Sequence, residues 1–341
     1  MKSNRNLIVA AVALTALSVL TYWNDVRRVD RFQRGQKLVS NLNPDEISRI
    51  EVASSQGRVS LARTADGYQI EEENGYRAKN ETVNRLVRDL LDLSLAREAG
   101  SGEAAAAELG IEPLAEDGVE VVLLGATGQE MIRLRVGGET EDGTARYVAL
   151  LDESGTPEAL YVTEAQVRID DATEDYLRKE IVDVSASRVD RAEGPDFVLA
   201  KDEAGTLALE GAGEEDAAST QKIKSALTRL QFEEVFVADD PAVATLAFEQ
   251  GLRLDLDDQS GYLVSVAERD GTTFVRVQGF LSVDRVQVSE EDTEEELEVK
   301  SQVLRRNDEI IQFNAFHGSW VYALSETSAE PFALRRRDLT S

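Results

Sequence analysis

The 341-residue chain contains no cysteine, which excludes disulfides, thiolate nucleophiles, iron–sulfur clusters and cysteine-bound zinc. Histidine occurs once, at His317, so a metal centre or an acid–base pair built from several imidazoles within one chain is excluded too. Positive charge is scarce: 37 Lys and Arg stand against 65 Asp and Glu, a formal net charge of -28. Such a surface repels a phosphate backbone, so nucleic acid is not an expected partner. The glycines form no phosphate-binding loop. The segment "GAGEED" at Gly211–Asp216 lacks the third glycine and the lysine, and places acids where an anion would sit. No G-x-S-x-G elbow for a serine nucleophile is found either.

What is present describes a folded chain. Apolar residues make up 42% of it, and its length suits two ordinary domains, each able to bury its own core. Residues 1–23 open with Lys2 and Arg5 and continue as an uncharged run from Leu7 to Trp23. As a helix this run is about 25 Å long, slightly short of the roughly 30 Å hydrocarbon core. A cleaved signal peptide and an uncleaved signal-anchor compete here. The run ends in Leu20, Tyr22 and Trp23 instead of small processing residues, which favours a transmembrane anchor. A basic juxtamembrane stem follows at 24–44. Trp23, Arg27, Arg31 and Arg34 are its candidate contacts with lipid headgroups or a membrane partner, the arginines recurring at helical spacing. A solvated stem helix is the competing reading, and the charges after the span oppose a periplasmic orientation under the positive-inside rule.

Beyond the stem the pattern repeats. "SRIEV" at Ser48–Val52 returns as "SRVDR" at Ser187–Arg191, "VSLAR" at Val59–Arg63 as "FVLAK" at Phe197–Lys201, and Gly67 as Gly205. Each of these stretches reads as strand, turn, strand. A helix follows in each half. "NETVNRLVRDLLDL" carries Val83, Leu86, Val87, Leu90 and Leu91 on one face behind an Asn80 cap, and "STQKIKSALTRL" carries Ile223, Ala226, Leu227 and Leu230 behind Ser219 or Thr220. Alternating strands then close each half: "VEVVLL", "MIRLRV", "RYVALL" and "ALYVT" in the first; "LRLDLDD", "YLVSVAE", "TTFVRVQ" and "WVYALS" in the second. The expected fold class is α+β. It consists of two tandem similar units, 45–180 and 181–330, each a mainly antiparallel β-sheet with one packed helix and one wet face, followed by a tail at 331–341.

The stem with its following strand, the turn "DGYQI", the first helix and "LGIEP" at Leu109–Pro113 together resemble the bacterial family named domain of unknown function 4340. The likeness covers nearly the whole chain and lies in hydrophobic positions and turns. The resemblance implies a membrane-tethered accessory role beside permeases and auxiliary proteins of the gliding-motility type of ABC transporter, outside the cytoplasm at the bacterial inner membrane. It transfers no catalytic residue. The chain departs from the family pattern at the alanine-rich "EAAAAELG" and at an acidic insertion around 284–312.

The remaining candidates for chemistry are sparse. "SEEDTEEELE" at Ser289–Glu298 could attract cations or a basic partner, but reads as a solvated loop or hairpin tip. "DLDDQSG" at Asp255–Gly261 starts like a calcium loop, then has Ser260 where glycine is needed and Val266 where glutamate belongs, so it reads as a polar turn. His317 reads as a turn residue or a pH-sensitive contact at a strand end, and Trp320 as core. No catalytic, cofactor or metal residues are assigned. The expectation is a non-catalytic binding or scaffolding protein that binds the bilayer and a permease or auxiliary subunit, with oligomeric state open. The alternatives are an envelope glycan hydrolase using paired carboxylates and a self-assembling structural protein.

Overall fold

The computed structural model describes residues 34–340 apart from 41, 114, 153, 203–204, 212–214, 283–288 and 290–291. The expected anchor at 1–23 and the candidate contacts Trp23, Arg27 and Arg31 lie outside the described residues. Among the described residues no helix is long and apolar enough to cross a membrane. The chain divides into two compact units, Met1–Arg178 and Lys179–Ser341, and both are mixed α+β with antiparallel sheets.

The first unit runs β1 (Gln36–Lys37), β2 (Ile47–Ser54), β3 (Gly57–Thr64), β4 (Gly67–Ile70), β5 (Tyr76–Arg77), helix α1 (Asn80–Asp92) and β6 (Ser94–Gly100). The short helix α2 (Glu103–Glu108) follows, then β7 (Val119–Gly125), β8 (Glu130–Glu139), β9 (Arg146–Leu151), β10 (Pro157–Thr163) and the one-turn α3 (Thr173–Tyr176). The strands form one sheet in the order β1-β6-β10-β9-β8-β7-β2-β3-β4-β5. Period-two alternation buries Ile50, Val52, Leu61, Ile70, Val121, Leu123 and Leu134, while α1 buries Val83, Leu86, Val87 and Leu90. Each such side chain contributes about 1.5–3 kcal/mol by leaving water. Residues Leu38 and Val39, expected in the stem, are buried in this unit.

Asn80 is not the cap of α1. It is the first helical residue, and its side-chain oxygen accepts from the Tyr68 amide at 3.0 Å, tying the helix start to β4. The alanine-rich departure forms α2, which places Ala106 and Ile111 against Ala149, Leu151 and Leu160, so part of the sheet's second face is covered instead of wet. The "LGIEP" turn is held from below. Buried Arg135 pairs with Glu120 and donates Nη1 to the Ile111 carbonyl at 3.0 Å, while the Gly138 amide donates to the Leu109 carbonyl at 3.2 Å.

The second unit contains β11 (Glu180–Val182), β12 (Val189–Glu193), β13 (Val198–Lys201), β14 (Leu207–Leu209), helix α4 (Ala217–Lys224), β15 (Leu230–Gln231), β16 (Glu234–Val237), β17 (Glu249–Leu256), β18 (Ser260–Arg269) and β19 (Thr272–Leu281). Helix α5 (Glu294–His317), β20 (Trp320–Leu324) and helix α6 (Glu326–Ala333) complete it. The main sheet has the order β14-β13-β12-β17-β18-β19-β20-β16, with β11 and β15 pairing separately. Three helices, not one, accompany this sheet. Asp216, and not Ser219 or Thr220, caps α4, its carboxylate accepting from the Ala218 and Ser219 amides. The helix stops at Lys224 because the Ser225 hydroxyl turns back onto the Gln221 carbonyl, and Arg229 then adopts a left-handed conformation. Residues expected as a tail belong to the unit: Phe332 and Leu339 are buried.

With β2–β4 set against β12–β14, β6 against β16 and β7–β10 against β17–β20, these eight strands lie in the same order in both sheets, and β1 and β5 extend the first at its two edges. Both contain a register shift, in β2 against β7 between Ile47 and Arg49 and in β12 against β17 between Val189 and Arg191. Both close alike, Lys79 donating to the Tyr176 carbonyl at 2.6 Å and Asp216 to the Leu339 carbonyl at 3.0 Å, each beside an isolated bridge. On this alignment Ile47 answers to Val189, so the literal echo of "SRIEV" in "SRVDR" is out of register. Ser187 and Arg188 lie in the 3-10 turn before β12, whereas Ser48 and Arg49 lie inside β2.

Gly137 marks the tightest approach to backbone among the described glycines of the first unit. A Cβ there would lie 2.6 Å from Ile111 Cγ1 and 2.7 Å from the Leu109 carbonyl oxygen. Gly137→Ala is expected to destabilise the unit by about 1–3 kcal/mol, because backbone cannot move aside as a side chain can; thermal unfolding of the variant measures it.

Candidate functional site

The acidic run expected as a loop or hairpin tip instead starts α5. Its carboxylates suit a helix N-terminus, where they face the positive end of the peptide dipoles. Thr293 caps the helix, accepting from the Glu296 amide while the Glu296 carboxylate accepts from the Thr293 amide at 2.8 Å. That backbone hydrogen bond, joined by the Thr293 hydroxyl, holds the Glu296 carboxyl below its ordinary value. Asp292 is likewise lowered, first by the hydrogen bond from Lys300.

Helix α5 enters between β19 and β20, where the first unit joins β9 to β10 directly. The ladder between β19 and β20 is limited to Thr273–Val275, which leaves the later part of β19 without a strand neighbour on that side among the described residues. Asn314 takes the neighbour's place: its amide accepts from Gly279 N at 2.7 Å and donates to Gly279 O at 2.8 Å. A side chain thereby satisfies a strand edge that would otherwise be open to pairing. The Ile310 side chain packs close above this glycine, where a Cβ would fall 2.6 Å from its Cδ1.

A row spaced by seven, Val303, Ile310 and His317, faces the core. His317 is thus the last residue of a helix and not a strand-end turn residue. Its ring stacks on Phe313 with centroids 4.1 Å apart, and its Nδ1 lies 2.6 Å from the Tyr322 hydroxyl. Trp320 is buried in β20, as expected of core.

Arg306 fastens the middle of the helix. Its Nε lies 3.1 Å from the Ser260 hydroxyl and 3.2 Å from Asp258, and its Nη1 donates to Glu309 at 2.8 Å. Asp258 also pairs with Arg188, and Arg188 Nε donates to Asp257 at 3.0 Å. These groups line a cleft of about 380 Å³ beside the β17–β18 turn, with Gln302 and Arg305 at its rim. The segment "DLDDQSG" is therefore a polar turn whose carboxylates are engaged by arginine. Burial would raise the Asp258 carboxyl, but hydrogen bonds from Ser260 and Arg188 and the charge of Arg306 outweigh it and hold the group below the ordinary range. Burial raises the Tyr262 phenol, with Arg306 opposing.

Exposed apolar side chains are concentrated on α5, Val299 beside the Arg306 cleft and Leu297, Leu304 and Ile311 in a separate row. Leu297 (39% exposed), Val299 (56%), Leu304 (42%) and Ile311 (56%) are the exposed large hydrophobic residues among the described ones, and all four belong to this helix. By contrast Arg34, the described member of the candidate stem contacts, is a solvated residue 3.4 Å from Glu164, an exposed pair worth little. Sequence periodicity alone could have found the α5 rows, had the acids before them been read as a helix start. Among the described residues no group of three or more His, Asp or Glu is placed to hold a metal ion.

Comparison with known families now places the chain. A family model described as "Domain of unknown function (DUF4340)" matches residues 68–248. The protein belongs to that family. The matched stretch begins in β4 of the first unit and ends just before β17 of the second, so α5 lies outside it. No curated protein and no solved structure matches the chain.

Because Asp258 is held ionised in the fold, its contribution to stability is complete above the ordinary carboxylate value and is lost as pH falls through the lowered one. Acid titration followed by circular dichroism is expected to show an unfolding component below about pH 4 that is absent in Asp258→Asn. Arg306→Met should cost about 1–3 kcal/mol, since it strips a charged donor from Ser260 and Asp258; chemical denaturation measures it.

Proposed function

We propose that this protein is a membrane-anchored, extracytoplasmic accessory protein of an ABC-type transport system, acting by binding and positioning partners and not by a chemical step. The observation that carries the reading is the concentration of exposed apolar side chains on α5, a helix added to the sheet and locked to it by Arg306 and Asn314. Scattered apolar residues on a surface are ordinary, but a row of them on one firmly held helix is the form of a docking face. The uncharged run at 1–23 would tether that face, so that weak contacts with a membrane partner suffice at the high local concentration a tether supplies.

We also infer that the two units are copies of one unit. The shared strand order, the matching register shifts and the identical closing hydrogen bond support this reading. The hydrolase alternative finds less support. A glycosidase pair needs one carboxyl protonated and one free, whereas Asp257 and Asp258 in the α5 cleft are both engaged by arginine.

A photo-crosslinking residue replacing Leu304 in the intact protein, activated in native membranes, is expected to capture a permease, ATPase or auxiliary subunit. Capture of none of these would end the transporter reading. Protease treatment of spheroplasts should digest the soluble part; full protection would place it in the cytoplasm.

A further inference from the structure

The outer row of α5 has chemistry that narrows what can sit on it. Leu297, Leu304 and Ile311 are seven residues apart, so each lies only about 20° from the last around the helix, and the row runs about 21 Å. It is one position, about 100° around the helix, from the buried row of Val303 and Ile310, and so lies off the face that packs on the sheet. Glu294, Glu298 and Asp308 flank it in exposed positions, against the single exposed arginine Arg305. Lys300 is occupied by Asp292, and Arg306 is turned to Asp258.

Three occupants can be weighed by charge. A bilayer surface suits an apolar row flanked by lysine and arginine, because its anionic headgroups repel carboxylates. A second copy of α5 would bring the same acids to the same row, and one apolar residue per heptad is half of a coiled-coil seam. A basic helix gains both the apolar contact and the opposite charges. We propose that the outer row of α5 is the docking site for an amphipathic protein helix whose apolar face is flanked by lysine or arginine. This rests on the reading of α5 as a docking face and names its partner's chemistry.

The test uses the full chain in lipid nanodiscs and two labelled synthetic peptides of about 21 residues, sharing a leucine row and differing in lysine or glutamate flanks. Fluorescence anisotropy is expected to show the lysine-flanked peptide binding at least about tenfold tighter. The Leu304→Ser, Ile311→Ser double variant, whose exposed positions leave the melting temperature unchanged, should lose about tenfold in that affinity. Glu298→Lys with Asp308→Lys should invert the preference between the peptides. Equal binding of both peptides, or binding that survives loss of the leucine and isoleucine, overturns the proposal. The double variant is also assayed for sedimentation equilibrium and for flotation with phosphatidylserine vesicles. If it changes either of these but not peptide binding, the face docks something else, so this inference fails while the docking-face reading stands. If it changes none of the three, both fail.

Discussion

An antiparallel sheet with one apolar face is unfinished until that face is covered and its edges are closed, and most of this protein can be understood as the answer to that requirement. In the first unit α1 covers the apolar face with Val83, Leu86 and Leu90, and the chain end returns so that Lys79 can bond to Tyr176. In the second unit α4 and the Asp216–Leu339 bond occupy the corresponding places. The closing bond joins the residue before the helix to the last turn of the unit. It therefore secures the helix at its start and the chain at its finish with one backbone contact.

The second unit differs where β19 outruns its neighbour. A strand edge left unpaired invites association with another chain, and α5 removes that invitation by offering the Asn314 amide to Gly279 and the Ile310 side chain to the space above it. Holding the helix there requires a second fixed point. Arg306 supplies it in a partly exposed cleft where three carboxylates and two arginines satisfy one another. The exposed apolar row of α5 is thereby carried on a firmly held element, the condition that the proposed docking face needs.

Much of the strand pattern was legible because alternation has a period of two and leaves a clear trace: every strand expected from "VEVVLL" to "WVYALS" is present. The caps were not, since Asn80 is the first residue of α1 after Lys79 and Ser219 the third of α4 after Asp216. Propensity names residues able to cap; only the local path of the chain decides which one does. The acidic run misled for a related reason. Seven acids in ten residues look solvated, and Glu294, Glu295, Glu296 and Glu298 are exposed, but Thr293 and Glu296 make the stretch a helix start. Of the candidate stem contacts only Arg34 is among the described residues, in an exposed pair with Glu164.

The sequence by itself determined the α+β class, the strands and the faces of α1 and α4, because hydrophobic periodicity is a local property of the chain. It also excluded thiol and multi-histidine chemistry by composition. Only the tertiary structure decided that the strand register shifts after Ile47 in β2 and after Val189 in β12, since register is set by hydrogen bonds between strands far apart in sequence. Only the tertiary structure separated the two rows of α5, because Ile310 and Ile311 are equivalent in hydropathy and differ solely in which of them finds a sheet to lie on.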